Sequence, residues 1–243
     1  MAQALLPLKD LVQAKTRLSG LLRPSERRAL AQAMAEDVLE VLAEHPAITQ
    51  ITLVSDDPGA ELLAQKYGAA CWSENSLACR GLNPLMQCAS EQLLSRSEDP
   101  LLVLHCDLPL LTGDDISAVL ASQRALDGLV IACDRQGRGT NLLAFAAGTV
   151  PQFSFGADSC ARHEASARSA GFPVAILQRE GIAVDVDEPA DLQCVMNRLA
   201  IKPHSHTAAL LLNTELGARI ALALATLAGS AHAVDDVNRG WHS

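Results

Sequence analysis

The chain has 243 residues, of which 49% are apolar and only 3% aromatic, so its core must be built from Leu, Val, Ile and Ala, as in parallel strands covered by helices. A formal charge of −9 and a pI near 5.2 oppose attraction to polyanions, which excludes nucleic acid and an anionic membrane surface as expected partners. The opening Met1-Ala2-Gln3-Ala4-Leu5-Leu6-Pro7 lacks signal-peptide features, so the cytoplasm is expected, and seven cysteines without a C-x-x-C pair argue against both a disulfide framework and a structural zinc site.

Residues 4–8 predict a short first strand and the polar stretch 9–19 a loop. Pro24-Ser25-Glu26 opens a helix in which Leu30, Met34, Val38, Val41 and Leu42 recur at helical spacing, and Pro46 ends it. A β-branched strand at 51–54 precedes the turn formers Ser55-Asp56-Asp57-Pro58-Gly59 and a short helix ending near Gly68. This βαβα rhythm predicts a parallel sheet with right-handed crossovers. Residues 72–83 have little periodicity and predict a loop over the site, followed by a helix at 85–94. The run Val103-Leu104-His105-Cys106-Asp107-Leu108-Pro109 is an apolar strand that empties into an acid. Pro109 biases Leu108 away from helix, so Asp107 falls at the strand's carboxyl end, the edge where open α/β sheets bind ligands.

Thr112-Gly113-Asp114-Asp115 reads as a capping box with Asp in place of Glu. Strands follow at 129–133 and 142–145, separated by the glycine-rich stretch 134–141, then a helix from Ser159 to about Ala170. Strands at 173–177 and 182–186 and a helix from Pro189 to about Leu199 complete a first unit, residues 1–202. In the second unit, 203–243, His204-Ser205-His206 reads as a linker, and Leu212, Leu216, Ile220, Leu224 and Leu227 repeat at helical spacing. Glu215 and Arg219 make a membrane span costly, leaving an amphipathic or partner-binding helix and a candidate homodimer surface, with 231–243 a loose tail.

The chemistry gathers at strand ends. Asp107 and the distant acidic end Val184-Asp185-Val186-Asp187-Glu188-Pro189 could together hold a divalent cation over a triphosphate, since magnesium takes only one or two protein carboxylates. A strand-end Asp alone serves equally as a cap or turn former. Lys9, Lys15 and Arg17 follow the first strand, three cations within nine residues of an acidic chain, suited to phosphates or to a plain solvated loop. Gly137-Arg138-Gly139-Thr140-Asn141 offers a flexible backbone, a hydroxyl and an amide, as does an ordinary hairpin turn. Gly156 with Ser159 at a helix start presents backbone N–H groups to an anion, or Ser159 is a simple N-cap. His163 reaches that same place or packs in the core. No Ser-His-Asp ordering, nucleophile elbow or P-loop lysine motif is present, so covalent catalysis is not expected.

Seven of these pieces occur in the order of one family. Pro7-Leu8-Lys9 with Ala14-Lys15-Thr16-Arg17-Leu18, Val54-Ser55-Asp56, Gly81-Leu82-Asn83, Asp107-Leu108-Pro109-Leu110-Leu111, Gly139-Thr140-Asn141, Phe155-Gly156 with Ser159 and His163, and Asp185 to Leu192 resemble the guanylyltransferases that make the phosphodiester precursor of the deazaflavin coenzyme F-420. The resemblance implies a three-layer α/β/α, Rossmann-like fold similar to that of molybdenum-cofactor guanylyltransferases, with a mostly parallel mixed sheet and here a helical carboxy-terminal extension. It implies magnesium on Asp107 and on Asp187 or Asp185, with Asp187 favoured because it stands directly before the helix start. It also implies guanine nucleotide along Pro7, Lys9, Lys15, Ser55, Gly81 and Asn83, the acid against Thr140, Gly156 and Ser159, and catalysis by Lys15, Arg17 and Asp107. The implied reaction moves GMP from GTP onto 2-phospho-L-lactate, phosphoenolpyruvate or 3-phospho-D-glycerate and releases pyrophosphate. Cys106, Ala157-Asp158 and Glu188 depart from the family pattern. A related transferase using CTP or a sugar phosphate, and a non-catalytic nucleotide-binding assembly protein, are the alternatives.

Overall fold

The computed structural model describes residues 1–9, 11 and 15–239, with side chains described up to residue 227. Its elements are β1 (Ala2–Pro7), α1 (Pro24–Glu44), β2 (Ile48–Val54), α2 (Pro58–Lys66), β3 (Ala70–Trp72), α3 (Leu82–Leu94), β4 (Leu101–Leu104), α4 (Gly113–Leu126), β5 (Leu129–Cys133), β6 (Thr140–Phe145), α5 (Ser159–Ser169), β7 (Val174–Leu177), α6 (Glu180–Ala183), α7 (Pro189–Met196), α8 (His206–Leu211) and α9 (Glu215–Arg239).

The strands form one seven-stranded sheet in the order β3-β2-β1-β4-β6-β5-β7, parallel except for β6, which runs antiparallel to both β4 and β5. Central strands alternate between two cores. Ala4 and Leu6 of β1, Leu102 and Leu104 of β4, and Leu142 and Ala144 of β6 face a core shared with Val38, Leu39, Leu42, Ile116 and Val119. Leu5, Leu101, Val103, Leu143 and Phe145 face the opposite core with Leu85, Met86, Ala89 and Cys160. A strand covered on both faces needs aliphatic side chains at every position, which is the composition read from the sequence.

The chain leaves β1 toward β2 and β3 on one side, and leaves β4 toward β5, β6 and β7 on the other. β1 and β4 are parallel neighbours, pairing Gln3 with Leu101 and Leu5 with Val103. Their connections diverge, so the carboxyl ends of β1 and β4 border the crevice where such sheets bind ligands. β6 runs the other way, so its first residues, Thr140 and Asn141, lie at that same edge, and the His105 amide donates to the Asn141 carbonyl at 3.2 Å.

Several sequence expectations need correction. Residues 182–186 are not a strand: α6 occupies Glu180–Ala183 and an irregular stretch follows, whose Val186 N–H bonds to Asp107 O at 3.3 Å. β-Branched content suggested a strand there, but with β7 already on the sheet's edge the segment instead packs across the strand ends. β3 (Ala70–Trp72) lies between the helix expected to end near Gly68 and the loop expected at 72–83, where the sequence suggested no strand, and α3 starts three residues earlier than the sequence suggested. Cys79 and Cys88 are joined by a disulfide, against the cysteine reading, because α3 brings two residues without C-x-x-C spacing together. α9 continues past Ala231, where a loose tail was expected, to Arg239. Among the described residues, no helix is long and apolar enough to cross a membrane.

The expected linker is instead a helix start. Ser205 caps α8 through a bond from Ala208 N (3.1 Å), and the buried Asp37 of α1 accepts from His206 N (2.6 Å) and Thr207 N (3.1 Å). Asp37, Glu40 and His206 bring possible ligand atoms within 4.8 Å, but both Asp37 oxygens are already engaged by backbone N–H groups. Leu211, Ile220 and Leu224 then pack with Leu18, Met34, Val186, Leu192 and Val195 in a third core. Asp37→Ala strands two N–H donors, the Thr207 one buried and the His206 one part-buried, and should lower unfolding free energy by roughly 2–3 kcal/mol in urea denaturation; a change below about 0.5 kcal/mol would show that the cap does not hold α8.

Candidate active site

A cleft of about 1080 Å³ opens at the β1/β4 edge. Pro7, Lys9, Lys15 and Arg17 line it from the connection after β1, and His105 and Asp107 from the end of β4. Thr140 and Asn141 come from β6, Gly156 and Ser159 from the approach to α5, and Asp185, Asp187 and Glu188 from the stretch before α7.

The cleft's centre is an ion triad. Lys15 Nζ lies 2.5 Å from Asp107 Oδ2 and 3.0 Å from Asp187 Oδ1, although 92 and 172 residues separate them in sequence. The Lys15 side chain is only 9% exposed. Burial pushes its pKa down, but the charges of Asp107 and Asp187 outweigh that and hold it above the ordinary lysine value. Burial likewise pushes the Asp107 carboxyl up, and Lys15 with His105 brings it below the usual carboxylate range. Asp107 Oδ1 is buried and has no hydrogen-bond partner among the described residues. Lys15 itself has φ +56°, in the left-handed region that a lysine occupies only when its surroundings hold it there.

The two downstream acids differ. Asp185 Oδ1 accepts from Asn141 Nδ2 at 3.2 Å, and burial, then the Asp107 charge, raises its pKa to about 6. Asp187 is 51% exposed on its side chain and faces Lys15. Arg17 Nη1 pairs with Glu188 Oε1 at 3.2 Å, both well exposed, so that pair adds little stability and leaves Arg17 free to turn.

At the other end, His163 is fully buried. Its Nε2 accepts from the Ser154 amide at 2.9 Å, which puts the ring proton on Nδ1 and makes it the donor to Thr140 Oγ1 at 3.0 Å. The Thr140 hydroxyl hydrogen is then left for an acceptor in the cleft. His163 therefore acts through Thr140 and does not reach the anion site itself. Gly156 has φ +119°, and a Cβ there would meet Arg162 Nη2 at 3.4 Å, so glycine lets this backbone turn toward Ser159.

Three residues expected along the nucleotide do not line the cleft. Asn83 donates to Phe155 O (3.3 Å) and accepts from Phe155 N (2.7 Å), clamping the 155–156 turn. Ser55 is buried and accepts from Asp57 N at 3.0 Å, and Gly81 stands at the start of α3 with φ +88°. Lining residues that sequence reasoning missed include His105, edge-to-face with Phe155 at 5.0 Å, and Asp134, Gln136 and Arg138. Asp134 Oδ1 accepts from the backbone of Gln136 (3.1 Å) and Arg138 (2.8 Å), a local turn whose signal was an Asp before a glycine-rich run.

The open sheet, the switch-point cleft and paired carboxylates around a lysine define a nucleotidyltransferase. A structure from Desulfovibrio desulfuricans assigned to the nucleotide-diphospho-sugar transferases shares this fold, at 20% identity and TM-score 0.75 over 91% of this chain and 98% of that one. The family model described as "Guanylyl transferase CofC like" matches residues 2–202, and the chain belongs to that family. It is 37% identical over 190 residues to phosphoenolpyruvate guanylyltransferase from Sphaerobacter thermophilus, covering 78% of this chain and 90% of the relative. It is 36% identical over 197 residues to 3-phospho-D-glycerate guanylyltransferase from Phenylobacterium zucineum, covering 79% and 88%.

Burial lowers the His163 pKa from the ordinary 6.5 to about 4. A folded pKa below the unfolded one means that this group's contribution is complete above pH 6.5 and is lost as pH falls toward 4. The wild-type chain should lose roughly 3 kcal/mol of stability from this source across that window. His163→Gln should be less stable at pH 7 yet show a flatter pH profile in urea denaturation between pH 6.5 and 4. Equal slopes in the two proteins would remove the neutral-histidine assignment.

Proposed function

We propose that the chain transfers GMP from GTP to a phosphorylated three-carbon acid and releases pyrophosphate, in assembly of the coenzyme F-420 precursor in the cytoplasm. The observation that carries this reading is the convergence of Asp107 and Asp187 on one cation, Lys15 Nζ, with Asp107 Oδ1 left unpartnered beside it. Carboxylates from separate segments that already share one positive charge suit a hard divalent cation, and a buried unpartnered carboxylate oxygen is what such an ion would satisfy. Asp107 and Asp187 would hold magnesium, while Asp185 is engaged by Asn141 and serves to brace the segment. When bound, magnesium supplies charge neutralisation at the triphosphate and the departing pyrophosphate.

The remaining work falls to the chain's own groups. Lys15, Lys9 and Arg17 would gather on the phosphates, which requires Lys15 to turn from the carboxylates and Arg17 from Glu188. The acid's phosphate oxygen would attack the α-phosphorus, forming the new phosphoanhydride as the bond to the β-phosphate breaks and its electron pair leaves with pyrophosphate. Thr140, its hydroxyl turned outward by His163, and the backbone around Gly156 and Ser159 would fix the acid so that this oxygen lies in line. The acid is one of 2-phospho-L-lactate, phosphoenolpyruvate and 3-phospho-D-glycerate, which differ by a methyl group, a double bond or a hydroxyl.

Incubation with GTP, magnesium and each of the three acids, with mass detection, should yield a guanosine diphospho-acid from at least one; product only with CTP would replace the reading by a cytidylyltransferase. Asp107→Asn keeps the side-chain shape and should cut the pyrophosphate release rate at least a hundredfold, about 3 kcal/mol of barrier. Near-normal release by that variant would mean that Asp107 is not a metal ligand.

A further inference from the structure

The family match ends at residue 202, yet the helices beyond it pack beneath the loop that carries Lys15 and Arg17. That loop is built from linked turns. Leu18 N–H donates to Lys15 O at 2.9 Å, and Leu21 N–H and Leu22 N–H both donate to Leu18 O at 2.9 Å. Leu21 O accepts from Arg219 Nη1 of α9 at 2.9 Å, and the next carbonyl, Leu22 O, accepts from Arg27 Nη1 of α1 at 3.2 Å. Arg219 Nη2 also pairs at 2.7 Å with Glu26 Oε2, the oxygen that accepts from Arg23 N at 2.7 Å. One guanidinium therefore ties the loop's carbonyl end to the first turn of α1. The apolar side of the same loop is seated on the extension as well, since Leu18, Leu21 and Leu22 share a core with Leu211, Ile220 and Leu224.

We propose that Arg219 is a positioning residue for triphosphate binding, holding the Lys15–Arg17 loop from α9 in the shape that presents its cations to the cleft. The inference rests on reading the cleft as a GTP site. Lys15 sits in the left-handed region, so the loop has other conformations to relax into when its tether is cut. If only a fraction of molecules then present the competent loop, apparent GTP affinity falls by that fraction, while turnover of the bound complex is little changed. A role in general stability would instead reduce the active fraction, and with it kcat, leaving KM alone.

The test measures GTP binding by calorimetry without the acid, and pyrophosphate release with GTP varied at saturating magnesium and acid. Arg219→Ala should raise Kd and KM for GTP five- to twentyfold with kcat within threefold of wild type. Arg219→Lys should give a smaller increase, because an ammonium keeps the charge but cannot span both acceptors as the guanidinium fork does. Leu222→Ala, on the same helix with Leu222 71% exposed, should match the unsubstituted chain. Unchanged GTP affinity in both Arg219 variants, or an equal loss in Leu222→Ala, overturns the proposal. An unsubstituted chain that binds no GTP overturns the reading of the cleft itself, which is a different result from tight binding that ignores Arg219.

Discussion

The buried ammonium of Lys15 between Asp107 and Asp187 is the constraint around which the rest of the structure is arranged. A lysine this poorly exposed is tolerable only when paired, and two carboxylates this close repel unless a cation stands between them. Each member therefore depends on the others, and a second cation that takes both carboxylates must displace the lysine. In the proposed reaction that makes the triad a place for exchange, in which a metal ion would take over the carboxylates and the lysine would be released toward phosphate.

The fold supplies the geometry by three independent routes. Parallel pairing of β1 with β4 sets the loop after one strand beside the end of the other, which places Lys15 at Asp107. The bond from Val186 N–H to Asp107 O brings the downstream acids to the same point, and Asn141, at the start of the antiparallel β6, ties Ile182 O (2.8 Å) and Asp185 to the sheet. The third core then joins Leu18 of the basic loop, Val184 and Val186 of the acidic stretch and Ile220 of α9, so the cationic and anionic sides rest on common packing. The proposed acid subsite is built separately, on Thr140, His163 and the turn clamped by Asn83.

Much of this was legible in the sequence because the signals are local. Asp107 was placed by an apolar run and the proline two residues on, the α4 cap by Thr112 and Asp115, and α1 by its repeat of Leu30, Met34 and Val38. The segment 182–186 was misread because β-branched residues suit a strand as well as a coil packed across strand ends, and only the sheet's strand order decides between them. The family resemblance put Asn83 and Ser55 along the nucleotide, but a polar side chain beside a glycine or an Asp carries no sign of which backbone it will bind, and here these bond to Phe155 and Asp57. The Asp37 cap on α8 spans about 170 positions, the Arg219 tether nearly 200, and no local pattern marks either.

The most direct test is a crystal structure with manganese and a GTP analogue that resists transfer. An anomalous manganese peak should lie within bonding distance of both the Asp107 and Asp187 carboxylates, with Lys15 Nζ moved off them and onto a phosphate oxygen. Manganese bound away from these two carboxylates, or Lys15 still bridging them beneath a seated nucleotide, would contradict the proposed exchange.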